Sequence, residues 1–444
     1  MSPPSADALL ATLGADDFPR LLERSSPQPD GKYLHWDELR HRSPPAGLSH
    51  EEWWLSVWLG RRPLLRGLPL LDKSGAPFMF ATPESVLINL HHIDRDAAGQ
   101  IWTPEAAPIH ENKERYLLHS LIEESIASSQ LEGASTTRRV AEAMLREGRQ
   151  PRDRSETMIF NNYRAMEHIR SLRSDPITPE RVLELHRLLT QDTLDDPADA
   201  GRLRLANDVN VVDNRDGALL HDPPCYTKLT ERLERLCAFA NAGEDSSPFV
   251  HPVVRAILLH FMLGYDHPFT DGNGRTARAL FYWSMARSGY WLMEFLSISQ
   301  FLRRAPRQYV QAYLHTETDR NDTTYFVLHQ LGIIRRAIAA LYEYLGRKTQ
   351  EQRDAERLLA STGQLRGRLN PRQLALLTHA LRHPGEGYRV AKHQNVHNIV
   401  YQTARTDLLD LEALGLLQKV KQGNAFVFYT VENLSGRIEV LSKT

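Results

Sequence analysis

Cysteine is nearly absent from this chain: Cys225 and Cys237 are the only two in 444 residues. Two thiols cannot build the disulfide framework of a secreted domain, and their spacing matches no zinc-ligand pair, so a reducing, cytoplasmic compartment is expected. An excess of either charge is also missing, because 54 Lys and Arg face 55 Asp and Glu. Bulk charge therefore names no partner. No apolar run reaches the length of a bilayer span, and the N-terminus lacks a basic stretch followed by an apolar one. Neither a membrane anchor nor a secretion signal is expected. Alternation of strands and crossover helices is missing too, which argues against a parallel sheet.

What is present is helical periodicity. Residues 1–105 read as an N-terminal packing module. Its short helical pieces between Tyr33 and Arg95 are broken by Pro44-Pro45, Gly60, Pro63 and Lys73-Ser74-Gly75-Ala76-Pro77, and Trp53, Trp54 and Trp58 bury one face. A mainly α core covers 106–345. Its first long helix runs from Glu111, where Tyr116, Leu117, Leu121, Ile122 and Ile126 keep helical spacing, up to Gly133. Residues 209–212 and 218–221, with a turn-rich Asp213-Asn214-Arg215-Asp216-Gly217 between them, read as a β-hairpin inside this helical core. A lone hairpin is marginal in water, so it must lean on the helices or on a bound chain.

The chemistry is concentrated in twelve residues, His267-Pro-Phe-Thr-Asp-Gly-Asn-Gly-Arg-Thr-Ala-Arg278. A helix from Pro252 to about Gly264 ends, a glycine-containing loop turns, and a second helix starts near Asn273 and runs to about Ser288. The first amides of that helix, and its positive end, favour an anion. Gly272 and Gly274 let the main chain approach phosphate closely. Arg275 and Arg278, three apart, can both reach a polyphosphate with forked donors. Asp271 offers an oxygen ligand suited to Mg2+, and His267 at the mouth of the loop is a natural general base near neutral pH.

This stretch matches every defined position of the Fic signature, His-Pro-Phe-x-[Asp/Glu]-Gly-Asn-Gly-Arg-x-x-Arg, and the chain resembles the Fic family of protein adenylyltransferases. The resemblance implies a helical fold that binds Mg-ATP and moves its AMP group onto a Ser, Thr or Tyr hydroxyl of a target protein, with His267 as the base. It further implies Asp271 at the metal, Asn273 and the loop amides of Gly272 and Gly274 at the α-phosphate, Arg275 at the β-phosphate region and Arg278 at the γ-phosphate. Thr276 and Ala277 complete the nucleotide-binding stretch. Leu219, Leu220 and His221 fall where the family keeps a flap that pins the target segment by strand addition. Tyr309 resembles one member of a family Tyr-Tyr pair near the adenosine, with Val310 replacing the second. Upstream, Ser128, Glu132 and Gly133 satisfy the family's inhibitory pattern, [Ser/Thr]-x-x-x-Glu-[Gly/Asn], on the helix of about 111–132. The resemblance implies that Glu132 pairs with Arg278 and blocks productive ATP binding.

Residues 365–444 form a separate unit. Pro371 to Arg382, Val390 to Val396 and Val400 to Leu414 read as three helices, followed by a hairpin with a Gln422-Gly423-Asn424 turn. This resembles a winged helix-turn-helix in which Tyr401 to Leu414 would be the recognition helix, with Gln402, Thr403, Arg405 and Thr406 near a major groove. Winged helices also dock proteins or dimerise, and His393 with His397 lacks further ligands for a metal. The expected fold class is thus mainly α, with a hairpin flap and a C-terminal winged helix. Two function classes stay open: the adenylyltransferase, with self-modification and a homodimer compatible with it, and a regulator acting through a DNA-binding wing. Within the first, AMP removal or another nucleotide donor is the alternative.

Overall fold

The computed structural model describes residues 2–14, 17–98, 113–213, 216–243, 245–361, 369–383, 385–422 and 425–443. The expected helix start at residues 111–112, the loop residues Asn214 and Arg215, and the turn residues Gly423 and Asn424 lie outside these described residues. The chain divides into two compact units, residues 1–341 and 342–444. The expectation of a mainly helical protein holds, with three two-stranded antiparallel sheets among the described residues.

The first unit is centred on the helix Pro252–Asp266, whose residues Val253 to Leu263 are all buried. A helix buried on every side, with Arg255 and His260 the only strongly polar residues in that span, is a core helix. Proline at its first position, where no amide bond is lost, and the His251 ring accepting from the Val253 amide at 3.3 Å start it cleanly. Its partner Asn273–Arg287 is equally enclosed, with Trp283 and Phe281 almost fully buried. The long helix Lys113–Leu131 lies against the helices Arg154–Ser171 and Ile298–Arg304. Glu124 fastens it there, because its buried carboxylate accepts from the Tyr282 hydroxyl (2.9 Å), the Ser297 hydroxyl (2.9 Å), and the Ser299 amide (3.1 Å) and hydroxyl (2.5 Å). Burial pushes this carboxyl above its ordinary range despite those donors.

One expectation needs correcting. Within residues 33–95, where helical pieces were expected throughout, Leu65–Leu71 and Pro77–Ala81 form an antiparallel hairpin, pairing Leu65 with Ala81 and Leu71 with Pro77. Gly67 and Pro69 spoil the strand pattern in sequence, and the structure accommodates them by shifting register between Gly67 and Leu71. Arg232 ties this hairpin to the end of the central helix. Its guanidinium donates to the Leu71 carbonyl (2.5 Å), the Asp72 carbonyl (3.0 Å) and the Asp266 carboxylate (2.6 Å).

In the second unit, the helices Pro371–Arg382, Val390–His397 and Tyr401–Ala413 are followed by the strands Leu417–Gln422 and Ala425–Thr430 and a last helix, Leu434–Lys443. Leu377, Leu408, Leu411, Leu416 and Phe428 form its core. Asp407 joins the three helices by accepting from Asn370 (2.7 Å), Arg372 (2.8 Å) and His393 (3.1 Å). His393 is thus spent on Asp407. No described helix of the protein is long and apolar enough to cross a membrane.

Candidate active site

The loop between the two central helices opens into a cavity of about 460 Å³ lined by His267, Thr270, Asp271, Gly272, Gly274 and Arg278. His267 is the C-cap of the first helix and takes a left-handed conformation, φ 42°. Its amide bonds the Leu263 carbonyl at 3.1 Å, and its ring Nδ1 lies 2.6 Å from the Gly264 carbonyl. Because a carbonyl only accepts, Nδ1 must carry the proton and Nε2 keeps its lone pair. Burial lowers the ring's pKa below the ordinary 6.5, so the neutral form prevails at pH 7.

Gly272 caps the next helix at φ 82°, and no side chain bonds the helix end there. A Cβ at this position would meet Thr190 Cγ2 at 2.6 Å. The first-turn amides of a 15-residue helix are thereby left facing the loop, a ready site for negative charge. Glu132 supplies such a charge. It follows the helix Lys113–Leu131 directly, and a Cβ added to Gly274 would overlap its carboxylate oxygen. The same oxygen accepts from Arg278 Nη2 at 2.9 Å. Ser128 holds that guanidinium with its hydroxyl (2.9 Å) and its carbonyl (3.0 Å), and Gly133 at φ 92° turns the chain away.

The remaining residues expected at the site divide into two groups. Asp271 sits half-exposed in the cavity, with its carboxylate 3.5 Å from Arg275 and 3.7 Å from Arg154. Ala277, Tyr309, Val310, Leu220 and His221 also line the cavity, and the Tyr309 hydroxyl meets His260 Nε2 at 2.7 Å. Leu219 is 61% exposed on the hairpin Val211–Val212 and Leu219–His221, while His221 is pinned by Glu317 (2.8 Å) and the Tyr265 carbonyl (2.7 Å). Asn273 lines the cavity as well and also braces the loop, accepting from the Phe269 amide (2.9 Å) and donating one Nδ2 proton to its carbonyl (2.8 Å). Thr276 bonds the Gly272 carbonyl (2.9 Å), and Arg275 is fully enclosed with one donor on the Leu189 carbonyl (2.9 Å). Its Nε is buried without a partner.

Residues 176–285 match the family model Fic/DOC. The chain carries a Fic domain. A protein adenylyltransferase Fic from Drosophila ananassae is 32% identical over 198 residues, which is 44% of this chain and 37% of that relative. The protein adenylyltransferase fic-1 of Caenorhabditis elegans is 37% identical over 116 residues, 26% of this chain and 20% of the relative. The matches thus span well under half the length of these curated relatives. Among solved structures, a Fic family protein from Desulfovibrio desulfuricans superposes with a TM-score of 0.51 at 17% identity, covering 79% of this chain and 97% of that one, which is a likeness of fold.

Two residues that shape the Fic loop carried no signal in the motif. Arg204, 63 positions before His267, donates from Nε to the His267 carbonyl at 3.0 Å, and its own amide bonds the Pro268 carbonyl at 2.9 Å. It holds the strained histidine in place from behind. His186 stacks on Phe269 with centroids 3.7 Å apart, accepts the Gly201 amide at Nδ1 (3.0 Å), and so donates from Nε2 to the Asp271 carbonyl (2.9 Å). Burial pushes its pKa down to about 4, which keeps that donor–acceptor polarity through neutral pH. Replacing His186 with phenylalanine should preserve the stack and lose both hydrogen bonds. We expect activity to fall about ten- to a hundredfold with a smaller change in melting temperature, read from turnover and thermal denaturation side by side.

Proposed function

We propose that this protein transfers the AMP group of ATP to a Ser, Thr or Tyr hydroxyl of a protein substrate, and that Glu132 restrains the reaction. The observation that supports this best is the pairing of a neutral His267, with Nε2 as its only free basic nitrogen, with an uncapped helix end that favours phosphate. In this reading the acceptor hydroxyl gives its proton to His267 Nε2 while its oxygen forms the new bond to the α-phosphorus. The bond from that phosphorus to the bridging oxygen breaks, and pyrophosphate leaves with the electron pair. The Asp271 carboxylate and the Arg278 guanidinium in the cavity fit a polyphosphate with a divalent ion, and the unpartnered Nε of Arg275 is buried just behind Asp271. Asp271 would hold Mg2+, whose charge would offset the phosphate oxygens. Gly272 and Gly274 amides, Arg275 and Arg278 would hold the phosphates, Tyr309 would lie near the adenosine, and the hairpin edge at Leu219–His221 would pair with the target backbone.

Mass spectrometry after incubation with Mg-ATP, alone and with a cell lysate, tests the reading. An added AMP on a hydroxyl side chain is the expected product, and no such adduct in wild type or in the Glu132→Gly variant would refute it.

The C-terminal unit is proposed as a winged-helix module, because three helices precede a hairpin and Gln402, Arg405 and Thr406 are exposed on the third. DNA or protein docking through it would be separate from the chemistry. A chain ending after residue 364 should therefore stay folded and retain transfer activity. A soluble but inert truncation would make the second unit part of the catalytic machinery.

A further inference from the structure

A second concave site lies at the far ends of the two central helices, away from the Fic loop. Fifteen residues of helix put about 22 Å between the first turn of Pro252–Asp266 and the loop. The groove there holds about 670 Å³ and is lined by Arg173, Arg255 and Arg287, with Phe249 and Trp291 at its walls. Its one lining carboxylate among the described residues, Glu294, already lies 3.4 Å from Arg170.

Arg255 is the unusual member. It is 9% exposed, and its Nε is buried with no partner. Its Nη2 has only long contacts, to the Gly243 carbonyl (3.5 Å), the Ser246 hydroxyl (3.4 Å) and the Val250 carbonyl (3.4 Å). It stands at the end of the first turn of its helix, where the dipole disfavours a cation. Burial and the nearby Arg287 charge both act against its protonated form. Arg287 has one long bond, 3.4 Å to the Ala240 carbonyl. Its place in the last turn of Asn273–Arg287 suits a cation. Arg255 lies over the Phe239 ring, 5.7 Å from its centroid, a contact that offsets part of its charge but leaves Nε without an acceptor. An enclosed guanidinium beside a second one, with no carboxylate between them among the described residues, lacks a counter-charge there that an anion would supply.

We propose that this groove binds a phosphate-bearing small molecule, held by Arg255 and Arg287 and reached by Arg173. Forked guanidinium donors match phosphate oxygens, and the amide end of Pro252–Asp266 adds to the same field. Phe249, 54% exposed, offers a flat surface to a base if the ligand is a nucleotide.

The test is calorimetric titration of the full chain with ADP and, separately, with inorganic pyrophosphate. Wild type, Arg287→Gln, Arg255→Gln and Arg275→Ala are compared, the last to weaken phosphate binding at the Fic loop. We expect a class of binding sites that survives Arg275→Ala and is weakened about tenfold or more by Arg287→Gln. ADP binding more tightly than pyrophosphate identifies a nucleotide; equal binding identifies the inorganic anion. Combined with Arg275→Ala, Arg255→Gln should lose the remaining ligand-induced thermal stabilisation, and alone it should not lower the melting temperature of the free protein, since it removes an uncompensated buried charge. A single class of sites that disappears with Arg275→Ala, or groove binding unchanged in Arg287→Gln, overturns the proposal.

Discussion

His267→Ala is expected to abolish AMP transfer while ATP binding stays within a few-fold of wild type. The imidazole in the proposed reaction moves a proton and holds no phosphate, so its loss should appear almost wholly in kcat. General-base catalysis commonly contributes on the order of 10² to 10⁴ in rate, which places the variant at the floor of a labelling assay. The environment of the ring adds a second, independent reading. Burial lowers the pKa of His267 below the ordinary 6.5, so the base is already deprotonated at pH 7 and its activity should hold as pH falls through 6.5. The acid limb of the pH profile should therefore lie below the usual histidine range. An acid limb above 6.5 would show a different titrating group, and labelling retained in His267→Ala would remove the histidine from the mechanism. ATP affinity is measured in parallel by calorimetry, so that a collapsed loop is not mistaken for a missing base.

The contrast between what the sequence disclosed and what it hid follows from distance along the chain. His267 to Arg278 is a contiguous run, and a helix end, two glycines and two arginines declare their geometry locally. Glu132 was legible because its helix pattern was. Arg204 and His186, at separations of 63 and 85 residues from the groups they hold, meet the loop only through tertiary folding. Nothing beside either residue distinguishes it from a solvated arginine or a core histidine. Asn273 shows a subtler limit: its place in the motif gave no sign of the second duty it has in the fold, where its amide closes the loop on Phe269. The hairpin at Leu65–Ala81 was hidden for an energetic reason. Gly67 and Pro69 weaken any local strand preference, and burial of Leu68, Leu70, Phe78 and Phe80 overrides it only once the rest of the unit is present.

Glu132→Gly is expected to raise both self-modification and target modification about ten- to a hundredfold, with ATP affinity changing less. In the structure Arg278 is held by the segment Ser128 to Glu132, with Nη2 at 2.9 Å from the Glu132 carboxylate and Nε at 2.9 Å from the Ser128 hydroxyl. A guanidinium forked onto this pair cannot also fork onto a γ-phosphate. The Glu132 carboxylate also stands against Gly274, at the helix end where a phosphate would sit, so the two anions compete for one field. ATP would bind with its triphosphate displaced and its α-phosphorus out of line with the attacking oxygen, which costs rate more than binding. Charge-assisted hydrogen bonds of this kind contribute roughly 1.5 to 3 kcal/mol, the source of the expected gain. Glu124 keeps the helix Lys113–Leu131 in place by four bonds to Tyr282, Ser297 and Ser299, so removing the Glu132 side chain should free Arg278 without releasing the helix. Arg278→Ala should stay slow in the Glu132→Gly background, because the phosphate ligand is then missing. Label incorporation is compared for wild type, both single variants and the double variant, with far-ultraviolet circular dichroism to check that each is folded. Equal rates for Glu132→Gly and wild type, or a double variant as fast as Glu132→Gly, would exclude competition for Arg278 as the restraint.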